Sequence, residues 1–133
     1  MPSAESHLHY FKRISLEVDV VSVANTIYTA TINILGVLTK VKNFETLSDV
    51  DVAYIQATLS LLMNEDGNYV LVIQKVLRQS KLMTRIHEHI DEAIDCLHII
   101  NNGRDPDREA LDRSIMFWHF LNVAIGNQYP LPQ

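Results

Sequence analysis

The stretch Tyr69–Asn101, YVLVIQKVLRQSKLMTRIHEHIDEAIDCLHIIN, decides the fold class. Its apolar residues recur at alternating steps of four and three, which places them on one face of an α-helix. This spacing predicts a third helix over 69–101, about 50 Å long if continuous, with a kink near Ser80 as an alternative. The helix is expected to end where Gly103 can adopt the left-handed conformation. The series consists of Val72, Val76, Met83, Ile86, Ile90, Ala93, Leu97 and Ile100, with Gln79 as its only polar member.

Three more helices are predicted around this one. Ser48 with Asp51 three residues later is a capping-box pattern, which predicts the start of the second helix. Asp105 followed by Pro106 predicts the start of the fourth, which is apolar on almost every side over Ile115–Ile125. Such a helix must be covered all round, either within one chain or by a second copy. The predicted ranges of these three helices are 16–42, 49–63 and 106–126.

The first predicted helix has two competing interpretations. The alternation of Leu16–Val20 is also typical of a short β-strand within 14–22. The segment Val20–Thr39 has no charged residue and is just long enough to cross a bilayer, which takes about 20 apolar residues. Because this segment contains seven Ser, Thr and Asn side chains, a buried helix is expected rather than a membrane span.

Length and hydrophobic content favour a single domain over residues 1–133. A chain of 133 residues that is 47% hydrophobic can close one core without a metal or disulfide. The expected fold is all-α, an antiparallel four-helix bundle with a long third helix. A second helix of about 15 residues is too short to cover a third helix of about 33 residues. The third helix is therefore expected to bend or to pack its excess length against another copy.

Charge and cysteine content narrow the class of function. A net charge of -5 excludes a generally basic nucleic-acid-binding protein and favours basic or neutral partners. Cys96 is the only cysteine, and the first fifteen residues lack the apolar core of a secretory signal. Both observations favour a cytoplasmic location. No Gly-rich phosphate loop or paired-Cys zinc motif is present, so no cofactor is expected.

Charged residues are segregated along the chain. Residues 88–112 contain eight acidic residues and two arginines. Residues 75–85 contain four basic residues and no acidic one, so this basic segment could bind an anion. Clustered acids speed the capture of a basic partner. We expect a non-catalytic interaction module, homodimeric, that docks a basic or apolar protein partner in an immunity, antitoxin or chaperone-like role. The expected contact residues are Glu88, Asp91, Glu92, Asp95, Phe117, Trp118 and Phe120.

An enzymatic alternative uses Arg113 and His119, which enclose five residues, with the polar Ser114 directly after the arginine. This spacing resembles the Arg-x4-6-His pattern of HEPN-type ribonucleases, which are helical dimers that cut RNA without a metal. The resemblance covers these residues alone and implies His119 as the general acid or base and Arg113 as the group that steadies phosphate. The competing interpretation is that His119 packs in the core.

A second alternative is a metal-binding helical bundle. His87 and Asp91 lie four residues apart and Asp95 and His98 three apart, so all four project from one side of the third helix. A metal needs three or four ligands in fixed geometry, and helical metal sites draw them from more than one helix. Without such a second set, these residues are expected to be exposed histidines paired with acids.

Overall fold

A computed structural model describes residues 4–81 and 83–129, with side chains from residue 20 onward. All regular structure in these ranges is helical and no strand occurs in them, so the all-α fold is confirmed. The predicted four-helix bundle with a long third helix is wrong, because that segment forms two helices. The five helices are α1 (Ala4–Lys42), α2 (Asp49–Leu62), α3 (Asn68–Ser80), α4 (Ile86–Asn101) and α5 (Arg108–Gln128).

A break between α3 and α4 replaces the predicted continuous helix. Lys81 and Arg85 both adopt the left-handed conformation, with φ of 57° and 54°, and these residues cap the two helices. The bend brings both halves of the apolar series onto the same core, where Val72 and Leu97 are both buried. A straight helix would leave part of that series uncovered, since α2 has only 14 residues. The predicted kink near Ser80 is thus a complete interruption.

The first helix is the longest element and lies between three others. It packs against α2, α3 and α5, and among the described residues no Cα atom of α1 lies within 8 Å of a Cα atom of α4. The strand alternative for 14–22 is wrong because Leu16–Val20 lies within α1. The helix begins twelve residues before the predicted start, since no glycine or proline occurs between Pro2 and Gly36 to interrupt it. Between Val20 and Lys42, where side chains are described, its buried residues are Ala24, Ile27, Thr31, Ile34, Val37, Leu38 and Val41.

One helical segment in the described ranges, Val20–Lys42, is long and apolar enough to cross a membrane by length and composition alone. A core helix of a soluble protein passes the same test. A signal sequence near an N-terminus also passes it. Of the most apolar window of this segment, 28% is buried, and its buried residues pack on neighbouring helices.

Several helix ends follow local side-chain chemistry. The predicted capping box is present: the Asp51 N–H donates to Ser48 Oγ at 3.2 Å, and the Ser48 N–H donates to Asp51 Oδ2 at 2.9 Å. Gly103 ends α4 with φ of 75°, as predicted. The last helix begins at Arg108, two residues after the predicted start at Pro106. Its N-cap is Asp107 and not Asp105, because the Asp107 carboxylate accepts a hydrogen bond from the Ala110 N–H.

The core is centred on α5, which packs against α1, α3 and α4. Phe117 and Trp118 meet edge to face, with ring centroids 5.1 Å apart. The helix runs antiparallel to α1, since the Asn122 amide bonds Thr31 near one end and Asp112 pairs with Lys42 near the other. The all-round apolar character of α5 is therefore largely accounted for within one chain.

Candidate functional site

The outer side of α4 carries an acidic surface. Glu88, Asp91 and Asp95 lie three and four residues apart, so they share one face, which we call the acidic face. The opposite side of the helix, including Ile90 and Leu97, is buried in the core. Within the described ranges, Asp91 and Asp95 are exposed and make no ion pair or hydrogen bond. Glu88 makes only a long contact of 3.8 Å with the neighbouring Arg85 guanidinium.

Glu92 has a different role from its neighbours on α4. Its Oε1 accepts from Arg113 Nε at 2.7 Å, which joins α4 to α5. This hydrogen bond, with the nearby charge of Glu109 at 4.0 Å, raises the pKa of the Arg113 guanidinium above its ordinary value. Glu92 is half-buried and already paired, which leaves Glu88, Asp91 and Asp95 as the exposed carboxylates of α4. This pairing could not be predicted from residue spacing, because the partners are 21 residues apart.

The aromatic part of the predicted docking surface lies mostly in the core. Phe117 and Trp118 expose 1% and 0% of their surface, so neither side chain is available to a partner. Phe120 is half-buried and lines a shallow groove with Arg113 and Met116. The prediction failed for two of the three aromatics because the all-round apolar sequence of α5 does not show which side meets α4 and which meets solvent.

The structure does not bring the candidate nuclease residues together. His119 is exposed, so the competing interpretation of a packed core histidine is wrong. Six residues of helix turn it about 120° away from Arg113 around the axis of α5, and the groove that Arg113 lines does not include His119. The Arg113 guanidinium is also held by the carboxylate of Glu92, which competes with a phosphate group.

The candidate metal ligands do not converge either. Three of them are exposed, namely His87, Asp91 and Asp95, and His98 is half-buried. His87 Nδ1 lies 3.5 Å from the Gln74 amide of α3, which is not a metal ligand in this setting. In the part of the chain that the structure describes, no three His, Cys, Asp or Glu side chains lie close enough to hold a metal ion. The second set of ligands that such a site requires is missing there.

The basic segment predicted between 75 and 85 lies on α3 and the break after it. Lys75, Arg78 and Lys81 are exposed and form no ion pair with other described residues. The two helices on either side of the break thus carry exposed charges of opposite sign. No family model matches the chain, and no curated protein or solved structure matches it. Function is therefore inferred from the contacts and charges of this chain alone.

Proposed function

We propose that this chain is a non-catalytic, acidic helical module that docks a basic protein partner through the acidic face of α4. The observation that supports this is the contrast between the paired and unpaired carboxylates of one surface. Glu92 and Asp112 are neutralised by Arg113 and Lys42, at 2.7 Å and 3.1 Å, whereas Asp91 and Asp95 have no cation beside them in the described residues.

An exposed pair of carboxylates on a rigid helix is suited to recognition of a cationic surface. Opposite charges steer diffusional encounter and fix the orientation of the partners. The burial of Ile90 and Leu97 beneath the face holds α4 in place, so binding needs no reordering of its backbone. An immunity, antitoxin or chaperone-like role is compatible with this chemistry and needs no cofactor. We also propose a cytoplasmic location, supported by the single cysteine, Cys96, which is reduced and buried.

Charge reversal tests the docking face. The variant Asp91→Lys with Asp95→Lys should bind a partner about tenfold more weakly or worse, mainly through slower association. Partners are first captured from cell extract on immobilised protein and identified by mass spectrometry, and their affinities are then measured one by one at low salt. A matched control, Glu65→Lys with Asp66→Lys, makes the same change of net charge on the exposed loop after α2.

The control should keep wild-type affinity. Equal weakening by both variants would mean that net charge and not the acidic face drives binding. Unchanged affinity in the α4 variant would contradict the proposal directly, as would captured partners that salt does not release.

We propose in addition that the chain forms a homodimer through the outer side of α1. No charged residue occurs between positions 20 and 39, and Val21 and Ile32 are each about half exposed there. Val123 on α5 is also exposed. It lies near Ile32, because the preceding residue Asn122 donates its amide to Thr31, which directly precedes Ile32. Such a surface, depleted of charge and carrying apolar side chains, has the composition of an interface core. The acidic face lies on α4, whose described Cα atoms are all more than 8 Å from those of α1, and so stays free for the partner.

Molar mass in solution tests the homodimer. Light scattering coupled to size exclusion should give a dimer for the wild type, a monomer for Ile32→Glu, and a dimer for the control Val50→Glu. Val50 is a similarly exposed apolar residue on α2. A monomeric wild type at every concentration would refute this interface, and so would a control variant that dissociates like Ile32→Glu.

A further inference from the structure

A groove that no sequence motif indicates lies between α1, α2 and the start of α3. Its volume is about 410 Å³, and it is open to solvent along one side. Small-molecule sites in proteins typically have volumes of about 300–1,000 Å³. The groove begins about one turn beyond the capping box along α2 and includes no residue of the acidic face of α4, so it is not explained by the proposed docking function.

The walls of the groove are uncharged. Charged residues make up 20% of the chain, yet none of the residues that line the groove is Asp, Glu, Lys or Arg. An ionised ligand entering it would lose hydration without gaining an opposite charge, which is unfavourable. The groove therefore favours a neutral ligand.

The polar side chains of the walls are available for hydrogen bonds. Two lining hydroxyls are already engaged in hydrogen bonds, since Thr26 and Thr58 donate to backbone carbonyls of their own helices. A second group makes no side-chain hydrogen bond with the rest of the described protein, and each member can both donate and accept. That group consists of Thr29, Asn33, Tyr54, Ser60 and Tyr69.

The groove also has apolar parts on which a ring can pack. Tyr54 and Tyr69 are half-buried, and an aromatic ring can stack against the flat face of a ligand while its hydroxyl stays free. Leu61, Ala30 and Ala57 provide the remaining apolar contact. Donors, acceptors and apolar surface in one uncharged groove suit a ligand that carries several hydroxyls on a flat or ring-shaped body.

We infer that this groove binds a neutral, polyhydroxylated ring compound of about the size of a nucleoside or a disaccharide. Both compounds share the chemistry that the groove recognises, which is hydroxyl groups on uncharged rings. Only the nucleoside has an aromatic base, which can stack on a tyrosine ring. A disaccharide can pack only the C–H face of a sugar ring against it. The two sources can be separated by titration with one of each.

The test is a titration of isotope-labelled protein followed by two-dimensional NMR, with adenosine and maltose as neutral probes and adenosine monophosphate as the charged counterpart of adenosine. At least one neutral probe should shift amide signals of groove residues and saturate, and the monophosphate should bind at least about tenfold more weakly than adenosine. Saturation by adenosine alone identifies the nucleoside class, and saturation by maltose alone identifies the sugar class. No shift with either neutral probe, or equal binding of adenosine and its monophosphate, would overturn the inference.

Matched variants locate the binding. Asn33→Ala removes one unpaired amide from the groove and should weaken the bound probe about fivefold or more. Thr39→Ala changes an exposed residue of the same helix outside the groove, whose hydroxyl bonds its own backbone, and should leave affinity unchanged. Circular dichroism confirms that both variants are folded. Equal affinity of the wild type and Asn33→Ala would refute the site even if a probe binds elsewhere.

Discussion

Replacement of Thr31 by valine probes the polar contact that joins α1 to α5. Thr31 is fully buried, and its hydroxyl donates to the Tyr28 carbonyl at 2.6 Å and accepts from the Asn122 amide at 2.9 Å. Valine has nearly the same shape, so little cavity forms and the change removes mainly the hydrogen bonds. Leaving the Asn122 amide without its partner costs about 1 to 3 kcal/mol. Because Asn122 is only half-buried and water can reach part of it, we expect a loss of about 1 to 2 kcal/mol.

Urea unfolding followed by circular dichroism measures this loss as a change in midpoint at constant slope. Thr26→Val is the matched control, because Thr26 is exposed on the same helix and its hydroxyl also bonds its own backbone. It should change the free energy of unfolding by no more than about 0.5 kcal/mol. Adding Asn122→Leu to Thr31→Val should restore part of the stability, since both partners are then apolar. A Thr31→Val protein as stable as the wild type would refute the reasoning, and equal losses in both threonine variants would assign the effect to helix propensity.

Three further outcomes follow from local geometry. The Asp51 carboxyl accepts hydrogen bonds from Lys40 and from the Ser48 N–H, and both lower its pKa. The contribution of Asp51 to stability is therefore present above the ordinary carboxyl pKa and is lost as pH falls through the lowered value. Asp51→Asn should therefore flatten the decline in the free energy of unfolding between about pH 5 and pH 2, and an unchanged acid decline would contradict the pairing. Gly103→Ala should cost about 1 to 2 kcal/mol in urea unfolding, because φ is 75° there while no neighbour lies within reach of the added methyl. Burial raises the pKa of the Cys96 thiol, so iodoacetamide should modify it at least about 100-fold more slowly in the folded protein than in urea.

Helix type and several helix ends could be predicted because they depend on nearby residues. The apolar steps of four and three in 69–101 are a local signal, and all members of that series outside the break are helical. Most of them are also buried, namely Val72, Val76, Ile90, Ala93, Leu97 and Ile100. The capping box of Ser48 and Asp51 and the left-handed Gly103 are equally local. The acidic face belongs to the same class, because its three residues lie within about two turns of one helix.

The remaining features depend on contacts between distant segments. A kink near Ser80 is one predicted alternative, but a complete break after α3 could not be predicted. The apolar series continues across it, and the left-handed positions are Lys81 and Arg85, not glycine or asparagine. The pairing of Glu92 with Arg113 and the burial of Phe117 depend on which side of α5 faces α4. The groove collects single residues from three helices, so no spacing within one segment could reveal it.

The break between α3 and α4 also keeps each chain folded on itself. The apolar series stays in register across it, and Lys and Arg are themselves good helix formers. A change of this segment to right-handed helical backbone would therefore join the two helices as one rod of about 50 Å. A straight rod would carry α4 and α5 away from α1, and the exposed cores of two chains could then be covered only by exchanging these helices. The left-handed backbone at Lys81 and Arg85 therefore favours this self-contained fold over exchange of α4 and α5 between two chains.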